Sequence, residues 1–293
     1  MSIIIGVIEE GLIYAIMALG LYITYKILDF PDLSVDGTFP MGAAVTAMLI
    51  LKGVHPVLTL LISFAAGLLA GCITGLIHVK LKVRDLLSGI IMMTALYSIN
   101  LRIAGKANLP IFSKETIFEN AFLEAVVPKA LDPYLVCIIL FVIILVCKVL
   151  LDLFLKTRAG YLLRAVDNEV LVTSLAKDKG MVKILGLALA NGFVALAGCV
   201  YCQQKGFFEV STGTGTMVIG LASVIIGTKL LKRFRSVQAT TAVIFGSIVY
   251  KACVSLAIAL GMAASDLKLI TAVLFLIILV ASNRKERKVK AHA

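Results

Sequence analysis

LDPYLVCIILFVIILVCKVLLDLFL, residues 131–155, decides the fold class. From Tyr134 to Cys147 every side chain is apolar, and the run continues with only Lys148 and Asp152 to interrupt it. A bilayer-spanning helix needs about 20 mostly apolar residues. The apolar residues are continuous rather than alternating, which argues against a strand of a membrane barrel.

Working outward, eight further stretches read the same way: roughly 4–25, 37–51, 56–79, 85–104, 183–204, 217–230, 237–260 and 266–281. The expectation is an all-α integral membrane protein with about nine transmembrane helices. Two stretches, 37–51 and 217–230, are short for a full span. Composition agrees. Apolar residues make up 60% of the 293, charged residues 15%, and mean hydropathy is +1.04. A soluble domain carries about 45–50% apolar and about 25% charged residues, so an ordinary water-soluble enzyme is excluded, and so is disorder. The domain reading is one membrane domain over 1–282 and a basic tail over 283–293.

The net charge of +11 is not a nucleic-acid signal. Basic residues sit in short clusters between apolar runs, as topology signals do, rather than on one solvated face. With the C-terminus cytoplasmic and the N-terminus outside, 20 of the 28 Lys and Arg fall inside, among them Lys80, Lys82, Arg84, Arg158 and Arg164. Seven fall outside, and Lys251 lies within a span. The tail is expected to lie near anionic lipid headgroups. The first ten residues carry Glu9 and Glu10 and no Lys or Arg, so the pattern of a cleavable signal peptide is absent and the first span is expected to be retained.

An internal repeat organises the two halves. Residues 30–37, FPDLSVDG, and 207–214, FFEVSTGT, align at an offset of 177: Phe30 with Phe207, Asp32 with Glu209, Leu33 with Val210, Ser34 with Ser211. Each copy follows a full span and precedes a short one. In this topology one copy enters from inside and the other from outside, an inverted repeat of the kind transporters use. The functional reading is two broken or re-entrant segments beside a translocation path, with Asp32, Ser34, Asp36 and Thr38 in the first and Ser211 and Thr214 in the second. The alternative is chance likeness between two polar loops.

The chemistry of covalent catalysis is missing. The sequence holds no phosphate-binding G-x-x-x-x-G-K-[ST] loop, no G-x-S-x-G elbow and no H-E-x-x-H; His55, His78 and His292 are far apart. No catalytic residue, metal-ligand set or cofactor site is therefore expected. The six cysteines lie in spans, and Cys199-Val-Tyr-Cys202 reads as small packing residues rather than a redox pair.

Polar side chains inside spans are costly and are candidates for function. Glu9 and Glu10 fall at headgroup level near the outer end of the first span. Lys251 either snorkels outward, faces a cavity, or pairs with an acid such as Glu9, Glu10 or Asp266. Tyr97 and Asn100 lie one turn apart near the outer end of the fourth span, and Gln203 and Gln204 close the sixth. Each serves either a substrate or a neighbouring helix. On the inner side, the longest loop, 156–182, contains an amphipathic stretch over 160–180 bracketed by Gly160 and Gly180 as breakers. Its polar set is Arg164, Asp167, Asn168 and Glu169, beside the apolar Leu163. It reads as a docking helix for a partner or as a helix lying on the membrane surface.

Two stretches carry a resemblance. GLIYAIMALGLY (11–22) followed by LDFPDLSVDGTFPMGAAV (28–45) is similar to the start of permeases of branched-chain amino-acid-type ABC importers. TRAGYLLRAVDNEVLVTSLAKDKGMVKILGLALANGFVALAG (157–198) is similar to that family's cytoplasmic loop and following helix. Within it, the chain resembles the branch of tryptophan/tyrosine-type ABC transport permeases. The resemblance implies a subunit in a prokaryotic cell membrane that works with two ABC ATPase subunits, an extracytoplasmic substrate-binding protein and a second permease, with a homodimer expected. By position, Leu163, Arg164, Asp167, Asn168 and Glu169 would form the helix that couples to the ATPase. The segments around Asp32–Thr38 and Ser211–Gly215 would border the path for a small organic solute, an aromatic amino acid first. Tyr97, Asn100 and Lys251 join that path as candidates from their polarity within spans, and the resemblance itself assigns Lys251 no role. The rival expectation is a self-sufficient ion-coupled carrier or channel, to which an inverted repeat and Lys251 are equally suited.

Overall fold

The computed structural model describes residues 2–120, 123, 128, 132–165, 179–231, 237–261, 266, 269–273, 275–277 and 279–280. Among the described residues there are eight long helices: α1 (Ser2–Leu21), α2 (Val35–Leu51), α3 (Pro56–Val79), α4 (Asp85–Ala104), α5 (Asp132–Leu155), α7 (Lys179–Lys205), α8 (Thr216–Leu230) and α9 (Ala239–Ala259). The short α6 (Arg158–Arg164) lies between α5 and α7. A wide π turn, Tyr22–Ile27, prolongs α1, so its span runs Ile4–Ile27. Residues 269–273, 275–277 and 279–280 are helical too, inside the expected last span.

Among the described residues seven helices are long and apolar enough to cross a membrane. Helix α2, with 17 residues, is shorter; at about 1.5 Å per residue it covers about 25 Å of a hydrocarbon core about 30 Å thick. The other stretch expected to be short is not. A 3₁₀ turn at Val210–Gly213 leads into α8, and Val210–Leu230 together reach spanning length. The helix ends follow local chemistry. Pro56 opens α3 and the His55 ring accepts the Val57 N–H at 3.3 Å. Gly105 closes α4 in the left-handed conformation that glycine adopts without cost.

Two features depart from the sequence reading. The loop after α4 is not wholly irregular: β1 (Asn108–Pro110) pairs antiparallel with β2 (Phe207–Glu209), tying that loop to the second repeat segment. Gly160 does not break a helix; it lies inside α6. Gly180 lies in the first turn described for α7, and the stretch before Lys179 is outside the described residues. Gly160 is there because α6 folds back onto the Phe154 and Leu155 backbone, leaving no room for a side chain.

Helix α7 and the end of α1 form the buried centre. Helix α3 lies against α7 along Gly67, Gly71 and Gly75, one every turn. A Cβ on Gly75 would stand 2.9 Å from the Ile184 Cα, and at Gly67 and Gly71 it would collide with α7 backbone. Such stripes let helix backbones approach where lipid offers no hydrophobic drive. Helices α8 and α9 meet the same way through Gly227 and Gly246. Tyr14, Phe39 and Tyr201 stack where α1, α2 and α7 meet, with ring centroids 5.5–6.4 Å apart. The outward faces of α3 and α5 expose Leu61, Leu69, Phe141 and Leu150, as lipid-facing surface does.

Candidate functional site

The segment between α1 and α2 is held by one polar knot. Asp32, Ser34, Thr38 and Asn191 are fully buried. Asn191, on α7, donates through Nδ2 to Asp32 Oδ2 at 2.8 Å. Its Oδ1 accepts from Thr38 Oγ1 at 2.7 Å and Ser34 Oγ at 3.2 Å. Ser34 also donates to Asp32 Oδ1 through both N–H and Oγ. A buried carboxyl is tolerated only when it is hydrogen-bonded, and here the chain supplies three donors, two from Ser34 and one from Asn191. Asp32, Ser34 and Thr38 thus sit inside the protein.

Asp36 points the other way, into the second repeat segment. Its carboxylate accepts from Gly215 N–H at 2.9 Å, Thr216 Oγ1 at 3.0 Å and Met217 N–H at 2.8 Å. The two N–H groups are unpaired backbone donors at the start of α8, and a carboxylate there satisfies them and complements the helix dipole. Since Asp36 is itself in the first turn of α2, the N-termini of α2 and α8 meet at this residue. The contact needs Gly213: a Cβ there would run into the Asp36 carbonyl and the Pro40 ring. Pro40, lacking an N–H, leaves that carbonyl without its usual helical donor.

Beside this junction lies a cavity of about 340 Å³ lined by Asp36, Gly37, Tyr97, Ser98, Asn100 and Thr214, among others. Asn100 donates to the Gly37 carbonyl at 3.0 Å, while its buried Oδ1 has no partner among the described residues. Tyr97 is half exposed at the cavity. Ser211 is exposed and donates to Glu209 Oε1. Thr214 also lines a second cavity of about 300 Å³, with Tyr14, Tyr250 and Lys251.

Lys251 pairs with Glu10, the arrangement expected of one of the three acids considered for it. Its ammonium is 3.2 Å from Glu10 Oε2 and 4.0 Å from the centre of the Tyr14 ring. Glu10 also binds Lys205 at 2.8 Å, through its other oxygen. Gln203 serves neighbouring segments, accepting from Ile117 N–H and donating to Thr59 Oγ1.

At the opposite end, Leu163 is buried against Gly186 of α7, whereas Tyr161 and Arg164 are exposed. Asp167, Asn168 and Glu169 lie outside the described residues, as does the tail. Lys148, on α5, binds Asp152 at 2.7 Å and Gln238 at 2.9 Å, and Asp152 accepts from Thr240, so α5 and α9 are joined at this end.

The sequence reading missed Asn191 and Thr216 as site-building residues. For Asn191 a signal existed: it is the single carboxamide in the apolar run ILGLALANGFVALAG.

Residues 3–282 match the family described as the permease component of the branched-chain amino acid transport system. The chain belongs to that family. It is 46% identical to the tyrosine transport system permease protein of Clostridioides difficile (strain R20291) over 284 residues, 97% of this chain and 92% of that one. It is 31% identical to the uncharacterized protein RP368 of Rickettsia prowazekii (strain Madrid E) over 294 residues, 98% of this chain and 100% of that one. No solved structure matches it. This branched-chain-type permease is therefore a multi-span membrane component of an amino-acid transport system, in a transport family rather than an enzyme family. Such a component implies ATPase and binding-protein partners.

Proposed function

We propose that this permease forms the translocation path of an ATP-driven importer for a small organic solute, with aromatic amino acids the first class to test. The segments 30–37 and 207–214, with the helices they lead into, belong to the two halves of an inverted repeat. The observation that carries this reading is the junction at Asp36. Two helices starting from different ends of the sequence begin at one point, beside a cavity that gathers Asp36, Tyr97, Asn100 and Thr214. Broken helices meeting at depth beside polar side chains are how transporters place irregular backbone. The cavity opens on the subunit's surface, which suits a path completed by a second permease, here a second copy of the same chain. Asp32, Ser34 and Thr38 support the path from behind and do not line it.

The loop that begins with α6 is the coupling element. Leu163 anchors it on α7, and Tyr161, Arg164 and the following Asp167, Asn168 and Glu169 are the face offered to the ATPase. The excess of Lys and Arg in the segments assigned to that side supports a cytoplasmic position for it, with the N-terminus outside. ATP-driven closure of the partner would shift this element and tilt α7, and α7 carries Asn191 and hence the knot under α2.

Cysteines at Tyr97 and Thr214, in an otherwise cysteine-free chain, test the path. Their reaction with a membrane-impermeant thiol reagent is expected to change when ATP is added to the assembled complex. Equal reaction in every nucleotide state would mean that the cavity is an ordinary surface groove.

A further inference from the structure

Glu9, Glu10, Gln204, Lys205 and Lys251 surround a third cavity, of about 310 Å³, between the start of α1 and the ends of α7 and α9. Three observations set it apart. First, two ammonium groups share one carboxylate: Glu10 places one oxygen on Lys205 and the other on Lys251, while Glu9 bonds Gln204 and the Cys137 thiol instead of a lysine. Second, Gln204 Oε1 is buried and has no hydrogen-bond partner among the described residues. A buried acceptor in that state is destabilising until a donor reaches it. Third, Lys251 and Val254 line both this cavity and the one shared with Tyr14 and Thr214, and Thr214 in turn lines the Asp36–Asn100 cavity. Three cavities thus follow one another, with Lys251 at one shared wall and Thr214 at the next.

An ammonium inside a span is expensive, and a single shared carboxylate with one ring face is modest compensation. A solute carrying both a carboxylate and an ammonium group supplies what is missing: an acceptor for Lys251 and Lys205, and a donor for Gln204 Oε1.

We propose that the Lys205–Lys251 pair is an entry subsite for the carboxylate of a zwitterionic amino acid, which displaces Glu10 from Lys251 while its ammonium group bonds Gln204. This rests on the transport reading and adds a recognition step within the permease itself. Glu10 is then the resting occupant of the subsite. Its departure loosens the link between α1 and α9 as solute passes Lys251 toward Thr214.

The test uses the full chain in nanodiscs, titrated by calorimetry with each of the common L-amino acids and with the amide of whichever binds. The free acid is expected to bind at least about tenfold tighter than its amide, a charged hydrogen bond being worth that much. Lys251→Met should erase the preference for the acid, Lys251→Arg should keep it, and Glu10→Gln should tighten binding severalfold by removing the competitor. A purely structural ion pair gives the opposite: Glu10→Gln weakens binding as much as Lys251→Met, and acid and amide are not distinguished. Monodisperse elution of each variant separates misfolding from lost recognition. If no amino acid binds while ATP-driven uptake by the assembled complex persists, the subsite is overturned and the transport reading stands. If uptake needs no ATPase, the transport reading fails whatever the titration shows.

Discussion

The Asp36 carboxylate accepts the backbone N–H of Met217 at 2.8 Å, joining two residues 181 positions apart in the chain. With Gly215 and Thr216 as further donors, one side chain of α2 caps the start of α8. The start of α8 thus rests on a side chain of α2.

Asp36→Ala should therefore act on both structure and transport. Losing an N-terminal cap costs about 0.5–2 kcal/mol, read as a fall of several degrees in the melting temperature of the purified chain. Uptake should fall further than stability, since the junction borders the cavity. Asp36→Asn, which keeps one carbonyl oxygen, should lie between wild type and alanine in both readouts.

Asn191→Leu should be among the most damaging single changes in a span. It strips Asp32, Ser34 and Thr38 of a shared partner in a fully buried site, and each buried polar group left unsatisfied costs about 1–3 kcal/mol. Adding Asp32→Leu should recover part of the loss, because the buried carboxyl left unpaired is then gone. A double-mutant cycle on melting temperatures checks the coupling.

The expected span positions coincide with observed helices most closely where charge or proline flanks an apolar run, as at Pro56–Val79 and Asp85–Ala104. That agreement has a simple cause: hydrocarbon accepts only helices with sealed backbones, and length then follows from bilayer thickness. What local sequence could not convey is pairing at a distance. Asn191 is one polar residue in an apolar helix until Asp32 arrives beside it. Glu10 looks like a headgroup-level acid until α7 and α9 each bring it a lysine. The β1–β2 ribbon has three residues per strand, too few for a periodicity signal. Gly160 misled because glycine in a membrane protein marks close approach as often as it marks an end.

The glycine stripe on α3 should be intolerant. Gly71→Ala places a methyl group on the α7 backbone, and overpacking of this kind costs about 1–3 kcal/mol or more. Gly6→Ala, with open space around it, should change the melting temperature little. The pair of measurements separates lost helix contact from any general effect of glycine replacement.

In the loop after α5, two neighbouring residues should behave differently. Leu163→Ala removes a fully buried side chain and should lower stability by about 2–5 kcal/mol. Arg164→Glu should leave the melting temperature nearly unchanged while reducing co-purification with the ATPase. Equal loss of stability from both would place Arg164 in the fold rather than at the partner surface.

The account's central claim is that energy reaches this permease from outside the bilayer. The direct measurement is uptake of a radiolabelled amino acid into proteoliposomes holding the permease alone, or the permease with its ATPase and binding protein. Uptake is predicted only in the complete assembly and only with ATP. Accumulation by the permease alone, driven by a proton or sodium gradient and unaffected by Arg164→Glu, would contradict it.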